Sequence, residues 1–306
     1  MEEDILYEAA NLKDIIHDPS VARLVINKDK IVSSNIIKGI EIFPEEIKDG
    51  VKVKLVVKEG EIIEKPIHLC FGVTDENAVQ NIVIDVDIEK NASVSLLAHC
   101  VFPLAKDILH KMDAKIHVGE NAHYSYFEKH IHSKSGGVRV FPKTIVSLDS
   151  GARFKTEFEL IKGRVGLIDI DIETKCLENS IMEVTSRING TDEDKILIKE
   201  TGYLIGENSR GVLTSRVALR DNAKAEIFNK IVATGAHSRG HVDCKEIVQD
   251  NAQASAIPIV EVKNSTAHVT HEASIGSVDS KQLETLMSRG LAEDAAVELI
   301  IQGLLS

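Results

Sequence analysis

An internal repeat is the sequence feature that most constrains this chain. A small polar residue or a glycine, usually followed by alanine, recurs ahead of segments in which apolar and polar residues alternate. The marks recur about every 29 residues, or at about half that interval, which is the signature of a repeat architecture. They begin at Asn91, Asn121, Gly151, Asn179, Asn208, Asn222, Asn251 and Ser265.

The segments between these marks alternate as β-strands do, most clearly at residues 168–172 and 195–199. Asn and Gly suit tight corners because both tolerate a positive φ. A strand and its corner take up half a coil, and this unit predicts a β-solenoid whose coils hydrogen-bond to one another. Aromatic residues make up only 4% of the chain, so aliphatic side chains must fill its interior. A β-sandwich is the alternative, but the constant coil length favours the solenoid.

The two ends depart from the repeat, as the ends of a solenoid must. We expect a cap of helix and β-hairpin over residues 1–80, a β-helix core over 81–278, and helices over 279–306. The hairpin is predicted from residues 51–57 followed by 62–63. The first helix is predicted over residues 3–17, with an apolar face of Ile5, Leu6, Ala9, Leu12 and Ile16.

The C-terminal segment has the pattern of two helices. Asp279 and Gln282 resemble a capping box, and Gly290 has the position of a helix stop. This tail is too short to fold alone, so it must pack on the solenoid, bind a partner, or both. The first helix has an apolar stripe of Leu283, Leu286 and Met287, and the second contains Ala295, Leu299, Ile300 and Leu304.

Charge and composition exclude several functional classes. The 36 Lys and Arg residues against 48 Asp and Glu give a net charge of −12 without a dense basic stripe, so we expect no nucleic-acid partner. No long, uninterrupted apolar stretch occurs, and the first residues lack a basic, apolar secretion signal, so neither a membrane span nor export is expected. The four cysteines are widely spaced without a CxxC pair, which favours free thiols in the cytoplasm.

Catalytic motifs that depend on short spacings are missing from the sequence. It contains no phosphate-binding GxxxxGK[ST] or GxGxxG loop, no GxSxG elbow and no HExxH helix. We therefore expect that the chain neither hydrolyses ATP nor binds a dinucleotide itself, and that it is not an enzyme.

Candidate metal ligands concentrate in the last third of the chain. Residues one coil apart in a solenoid stack at about 4.8 Å, which would place His241 near His271 and Cys244 near Glu272. Thiolate, imidazole and carboxylate together can hold iron or an iron–sulfur unit. The alternative is a buried apolar thiol with solvated histidines, and a one-residue slip would turn a side chain to the opposite face. The two segments contain His237, His241 and Cys244, and His268, His271 and Glu272.

The remaining cysteines and histidines suggest ordinary structural roles. Cys100 lies about five coils before Cys244, or about 24 Å at the spacing of paired strands, and its apolar surroundings favour core packing. Cys70 and Cys176 indicate nothing beyond packing. We interpret the histidines at 123, 130 and 132 as an exposed strand edge.

Several ordered motifs remain to be accounted for between about residue 80 and residue 306. Near Cys100 they are residues 92–96, Pro103 and the pair Gly136-Gly137. In the C-terminal part they are Glu261-Val262-Lys263-Asn264, His271-Glu272-Ala273, Ser288-Arg289-Gly290-Leu291, Ala296 and Ile301-Gln302-Gly303. Together these motifs resemble the SufB/SufD family of the SUF iron–sulfur cluster assembly machinery, and those near Cys100 are similar to the SufB branch.

This resemblance implies a right-handed parallel β-helix that acts as a scaffold for nascent iron–sulfur clusters. It implies a complex with the ABC-type ATPase SufC and delivery of clusters to apo iron–sulfur proteins. Cys244 matches the scaffold cysteine, with Glu272 and His271 beside it, and Cys100 matches a cysteine proposed to receive sulfur and pass it through the interior. His241 is added from coil stacking alone. The C-terminal helices would dock the ATPase through Leu283, Leu286, Met287, Arg289, Leu299 and Ile300.

A single chain offers one evident scaffold cysteine, so a two-fold homodimer is expected if no separate second subunit exists. One alternative is a SufD-like structural subunit that holds the complex together without binding clusters. Another is a β-helix carbohydrate-active enzyme, which would need an aromatic-lined groove and usually a secretion signal.

Overall fold

The computed structural model describes residues 2–10, 15 and 18–306. The described chain begins with a helix, continues as a long series of strands and ends with two helices. The elements are α1 (Glu2–Ala10), β1 (Arg23–Asn27), β2 (Lys30–Asn35), β3 (Ile40–Ile47), β4 (Gly50–Val57), β5 (Ile67–Gly72), β6 (Asn77–Ile88), β7 (Ser93–Phe102), β8 (Asp107–Val118), β9 (His123–His132), β10 (Val138–Leu148), β11 (Arg153–Lys162), β12 (Leu167–Cys176), β13 (Ile181–Gly190), β14 (Lys195–Leu204), β15 (Arg210–Leu219), β16 (Lys224–Ala233), β17 (Arg239–Val248), β18 (Gln253–Val262), β19 (His268–Gly276), α2 (Ser280–Ser288) and α3 (Glu293–Leu305).

Two long sheets are built from strands that alternate along the chain. One sheet has the order β19-β17-β15-β13-β11-β9-β7-β5-β1-β2, and the other β18-β16-β14-β12-β10-β8-β6-β4-β3. From β4 onward each strand pairs in parallel with the strand two places later, so every coil contributes one strand to each sheet. The expected parallel β-helix is therefore confirmed, and the β-sandwich is wrong. The parallel ladder begins upstream of residue 81, with the pairs β1–β5, β4–β6 and β5–β7.

Left-handed residues make the corners of the coils. Asn91, Asn121 and Asn179 have φ near 57° at corners that lead into the ten-stranded sheet. At the opposite corners the left-handed residue is Asp221 or Asp250, one place before the predicted Asn222 and Asn251. Asn and Asp tolerate this conformation because their short polar side chains hydrogen-bond locally. The repeat therefore marked the corners correctly to within a residue.

Side chains alternate between a buried interior and a more exposed outer surface. In β8 every second residue is buried, from Ile108 to Val118. Ile, Val, Leu and Ala supply most of the continuous interior, as the scarcity of aromatic residues predicted. The last coil is different, because Ala254, Ala256 and Val269 face inward but are only partly buried. The solenoid is thus open at its C-terminal end.

The N-terminal cap differs from the predicted hairpin. Residues 50–57 form β4, which pairs antiparallel with the preceding β3 and not with residues 62–63. Ile62 instead makes a parallel bridge to Ser93, because the backbone there already follows the coil. Helix α1 packs Leu6, Tyr7 and Ala10 against the outer face of the ten-stranded sheet. Leu12 and Ile16 of the predicted helix lie outside the described residues.

Both C-terminal helices begin and end close to the predicted positions. Asp279 caps α2, since its carboxylate accepts a hydrogen bond from the backbone N–H of Gln282 at 2.8 Å. Gly290 ends α2 with φ of +96°. Helix α3 buries Ala296, Ile301 and Leu305, each one residue after a predicted apolar position. Ile301 and Leu305 pack against the solenoid. None of the helices among the described residues is long and apolar enough to cross a bilayer.

Candidate functional site

The C-terminal ligand candidates are divided between two faces of the ten-stranded sheet. The register pairs Cys244 with Ala273 and Asp243 with Glu272, while His241 pairs with Thr270. The predicted contacts of Cys244 with Glu272 and of His241 with His271 are therefore wrong by one residue in each case. Since alternate residues of a strand face opposite ways, Cys244 and His271 share the inner face, and His241 and Glu272 share the outer face.

Cys244 lies inside the solenoid, one strand beneath its open end. Its side chain is only 1% exposed. Burial raises the pKa of this thiol to about 12, and the nearby carboxyl groups of Glu246 and Glu200 add to the effect. The amide group of Asn229 lies 3.6 Å from the Cys244 Sγ and 2.8 Å from the Ser215 Oγ. Cys244 is therefore a neutral thiol in a polar pocket.

The carboxyl group closest in sequence to Cys244 on its own face is Glu246, two residues along β17. It is 2% exposed, and neither of its carboxyl oxygens has a hydrogen-bond partner. Burial raises its pKa to about 7. Glu246 also lines a cavity of about 590 Å³ between β17, β19 and the C-terminal helices. A carboxyl group beside Cys244 was expected, but the structure supplies it from Glu246, which the sequence analysis did not identify.

A string of polar side chains continues inward from Cys244. Ser186, Ser215 and Cys244 occupy one register column on successive coils. The Ser186 hydroxyl donates to the Glu200 carboxyl group at 2.6 Å, and burial raises the Glu200 pKa to about 7. The same register column continues through Phe158 to Glu128. An aromatic ring therefore separates this string from a second polar group further along the interior.

The second group surrounds Cys100. The Cys100 Sγ lies 3.7 Å from Glu128 Oε1, and the His130 Nε2 lies 2.7 Å from the same oxygen. The Tyr126 hydroxyl donates to the other oxygen of Glu128 at 2.9 Å. Burial raises the pKa of the Cys100 thiol well above its usual value. Burial also pushes the Glu128 pKa upward, but hydrogen bonds from His130 and Tyr126 outweigh it and leave that pKa lowered.

Two further buried histidines complete this group. The His132 Nε2 lies 3.2 Å from the His130 Nδ1, and the His132 Nδ1 lies 2.9 Å from the carbonyl oxygen of Arg164. The His110 Nδ1 lies 2.9 Å from the Gln80 side-chain oxygen. Burial lowers the pKa of both His110 and His132 to about 3.

The interpretation of these histidines as an exposed strand edge is wrong for His130 and His132, and only His123 is exposed. The repeat contained the signal for this arrangement. Cys100 follows the corner residue Asn91 by the same nine places by which His130 follows Asn121, and the two are paired in the structure. Glu128, His130 and His132 are spaced two apart and so share the inner face.

The predicted docking residues on the C-terminal helices fall into two sets. Leu283 and Ile300 are partly buried against the solenoid. Arg289 is exposed, as are Met287 (41%) and Leu299 (47%). Leu286 and Leu299 line a groove of about 550 Å³ between α2 and α3. An apolar surface is thus available at the predicted place.

Comparison with known proteins identifies the family. The model of the SUF system FeS cluster assembly, SufBD core domain, matches residues 71–304. The chain belongs to the SufBD family. It is 40% identical over 303 residues to an iron-sulfur cluster assembly SufBD family protein of Methanocaldococcus jannaschii, covering 99% of this chain and 96% of that one.

Other archaeal relatives support the SufBD assignment. A SufBD family protein of Pyrococcus horikoshii is 37% identical over 300 residues, covering 98% of this chain and 91% of that one. One of Archaeoglobus fulgidus is 25% identical over 247 residues, covering 80% and 65% of the two chains. Membership in the SufBD family assigns the chain to iron–sulfur cluster assembly, in place of the carbohydrate-active alternative.

Proposed function

We propose that the chain is the scaffold on which nascent iron–sulfur clusters are built, with no catalytic activity of its own. It would act in the cytoplasm with a SufC-type ATPase and pass clusters to apo iron–sulfur proteins. One observation carries the proposal: Cys244 lies beneath the open end of a SufBD family solenoid, beside the buried carboxyl group of Glu246.

We propose that Cys244 becomes a metal ligand only when the scaffold opens. Its raised pKa keeps the thiol protonated in the closed chain. Iron binds the thiolate, so ligation must release the proton. His271 lies on the same inner face, one coil further along, and is exposed. We propose Cys244 and His271 as inner-face ligands, with Glu246 beside them. Glu272 and His241 lie on the outer face and would contribute only across an interface with another subunit.

The open end of the solenoid is the surface at which we propose that a second SufB/SufD-type subunit binds. Among the described strands, β18 and β19 are the last in their sheets, so each has an edge without a neighbouring strand. Such edges pair readily with another chain. A two-fold homodimer through this end would bring two copies of Cys244 to one interface. The exposed large apolar residues on these two strands are Ile257, Ile259, Val262 and Ile275.

The C-terminal helices link the docking groove to the cluster site. Helix α3 packs Ile301 and Leu305 against Ile247, which lies three residues beyond Cys244 on β17. The Arg220 guanidinium donates to the Glu298 carboxylate at 2.5 Å and ties α3 to the solenoid. We propose that nucleotide-driven movement of an ATPase docked on α2 and α3 strains β17 and exposes Cys244.

Cys100 would receive the outer sulfur of a cysteine persulfide on a donor protein, whose own sulfur leaves as a thiolate. Passage to Cys244 is a second exchange, in which the Cys244 thiolate attacks that outer sulfur and frees the Cys100 thiolate. The two sulfurs are about 24 Å apart, both thiols are closed to solvent, and Phe158 separates the two polar groups. Relay therefore requires a carrier thiol, or an opening of the solenoid that brings the two sulfurs into contact. Persulfide trapping on wild type and on Cys100→Ala tests this role, and equal sulfur acceptance would contradict it.

The deciding experiment is anaerobic cluster reconstitution with a co-expressed SufC-type ATPase, read by visible absorption and Mössbauer spectroscopy. Cys244→Ser should lose the cluster signal and keep a native far-UV circular dichroism spectrum. Cys176→Ser is the matched control, since Cys176 is another buried free thiol. An undiminished signal in Cys244→Ser would end the assignment of Cys244.

A SufD-like structural role is the second candidate. It is favoured by the separation of Cys244 from Glu272 on opposite faces of the sheet. In that case wild-type homodimers would bind no cluster. A complex with a different SufB/SufD-type chain would bind a cluster, and it would do so whether or not Cys244 is present.

A further inference from the structure

The interior group around Cys100 forms a site that is separate from the C-terminal end. It lies on β7, β8 and β9, about five coils from Cys244, or about 24 Å at the spacing of paired strands. Cys100, Glu128 and His130 are all buried, and one ligand atom from each lies within 4.8 Å of the others. A metal ion bound by this group would therefore be distinct from a cluster held at Cys244.

The three donor atoms lie close enough together to share one cation. Glu128 Oε1 lies 2.7 Å from the His130 Nε2 and 3.7 Å from the Cys100 Sγ. A tetrahedral divalent ion binds nitrogen and oxygen at about 2.0–2.2 Å and sulfur at about 2.3 Å. An ion between the three atoms would need only small side-chain shifts to reach those distances.

A hydrogen-bonded chain fixes the orientation of the His130 ring. The carbonyl oxygen of Arg164 can only accept, so the His132 Nδ1 beside it carries a hydrogen. His132 Nε2 then accepts from the His130 Nδ1–H. The other ring nitrogen, His130 Nε2, faces Glu128 Oε1, where it can hold a proton or, in its place, a metal ion. Metal-binding histidines commonly have their second nitrogen held in this way.

Two acceptor atoms as close as Glu128 Oε1 and His130 Nε2 need a positive charge between them. The oxygen of an ionised Glu128 and the lone pair of His130 Nε2 would otherwise repel each other. A proton shared between the two atoms meets this need. A divalent cation at the same place would replace that proton and also the proton of the Cys100 thiol.

His110 supplies an independent indication of a ligand. Gln80 Nε2 donates to the carbonyl oxygens of Lys28 and Gly72, so the Gln80 oxygen must accept from the His110 Nδ1–H. The other ring nitrogen of His110 is buried without a hydrogen-bond partner. Its ring centroid lies 6.0 Å from that of His130. Buried polar atoms normally have partners, and a bound cation would provide one.

We propose that Cys100, Glu128 and His130 bind one divalent transition-metal ion inside the solenoid. A shift of the neighbouring His110 ring toward this ion would supply a fourth donor. One thiolate, one carboxylate and imidazole nitrogen suit a borderline cation such as Fe²⁺ or Zn²⁺, whereas Mg²⁺ and Ca²⁺ favour all-oxygen sites. Identifying Fe²⁺ as the occupant in the cell rests on the proposed function in cluster assembly. The site itself does not.

The test is titration of the chelator-treated full-length chain with Co²⁺ under anaerobic conditions. Binding through Cys100 should give a sulfur-to-cobalt charge-transfer band in the near ultraviolet, and Zn²⁺ and Fe²⁺ should displace the Co²⁺. Cys100→Ser should abolish the band, while the buried-thiol control Cys176→Ser should retain it. His132→Gln, which acts through His130, should weaken Co²⁺ binding by about 10- to 100-fold.

A second readout separates loss of the site from loss of the fold. Zn²⁺ should raise the melting temperature of wild type, because an ion that binds only the folded chain stabilises it, and should not raise that of Cys100→Ser. Cys244→Ser should keep the cobalt band even where it loses clusters, so failure of this proposal differs from failure of the proposed function. A wild-type chain without the band, or a band that survives in Cys100→Ser, would overturn the metal site.

Discussion

Two buried carboxyl groups make the neighbourhood of Cys244 sensitive to pH. Burial raises the pKa of Glu200 and of Glu246 to about 7, from a usual value of 4.5. The folded chain therefore holds protons that the unfolded chain releases between about pH 4.5 and 7. Stability falls as the pH rises through this interval, because the folded state binds more protons than the unfolded state.

Replacing Glu200 with Gln should remove its part of this dependence. At pH 8 we expect Glu200→Gln to be more stable than wild type, by an amount up to roughly 3 kcal/mol for a shift of this size. At pH 4.5 the two should be nearly equal. Urea denaturation at both pH values measures the difference. Glu226→Gln is the control, since Glu226 is exposed, and an equal gain in that variant would contradict the role of burial.

Asp194 connects the backbone of two neighbouring coils through one side chain. Its buried carboxylate accepts hydrogen bonds from the backbone N–H groups of Val165, Gly166 and Thr191 at 2.9 to 3.0 Å. It also accepts from the Arg164 guanidinium at 2.9 Å. An amide at this position would turn an NH₂ group toward backbone donors.

We therefore expect Asp194→Asn to cost about 3 kcal/mol of unfolding free energy. The neighbouring Asp192 pairs with the same guanidinium but its side chain is 59% exposed. Asp192→Asn should cost less than about 1 kcal/mol. Chemical denaturation of the two variants compares them, and similar losses would show that the backbone contacts of Asp194 contribute little.

At the scale of elements, α2 and α3 form a platform with one face on the solenoid and one face open. Ile301 and Leu305 pack against the solenoid, whereas Met287 and Leu299 are exposed. Folding and partner binding therefore depend on different side chains of the same helices.

Leu299→Asp should weaken binding to the SufC-type ATPase by at least about tenfold, the effect of losing about 1.4 kcal/mol of binding free energy. Its melting temperature should stay close to that of wild type because the residue is exposed. Titration calorimetry with the purified ATPase measures the affinity. Leu177→Asp is the matched control, with a similarly exposed leucine at a distant corner. Unchanged affinity in Leu299→Asp would place the docking surface elsewhere.

The sequence predicted the positions of the strands and helices better than it predicted the face of the sheet on which each side chain lies. The spacing of Asn91, Asn121 and Asn179 gave the coils because a left-handed corner requires particular residues. Alternation alone does not tell which face is inside when polar residues occupy the interior, so the inner position of His130 was missed. The coil spacing assumed for Cys244 was one residue too short, which wrongly placed Glu272 beside it. A register error of one residue changes which side chains of neighbouring coils lie beside each other, because side chains alternate between the two faces with period two.

At the scale of the whole molecule, the solenoid ends in the antiparallel strands β2 and β3 on one side and in the open last coil on the other. An unpaired edge and half-buried Ala254, Ala256 and Val269 meet at the open end. Association through this end would remove apolar surface from water and pair backbone groups.

Val269→Asp should therefore convert a dimer into a monomer, because it places a charge within that surface. Size-exclusion chromatography with light scattering measures the mass of each form. Ile205→Asp, at an exposed corner outside the last coil, should remain dimeric. If Val269→Asp dimerises as wild type does, the subunits meet through another surface.

The regular stacking of coils also fixes the distance between the two buried sulfurs of Cys100 and Cys244. Cys100 and Cys244 are held apart by whole windings, each of which adds one increment of about 4.8 Å. Their distance can thus change only stepwise, by gain or loss of a complete winding, and a partial insertion would rotate one sulfur to the outside. A lineage that lengthened or shortened this chain by one repeat would alter the reach between the two sulfurs while leaving each local environment as it was.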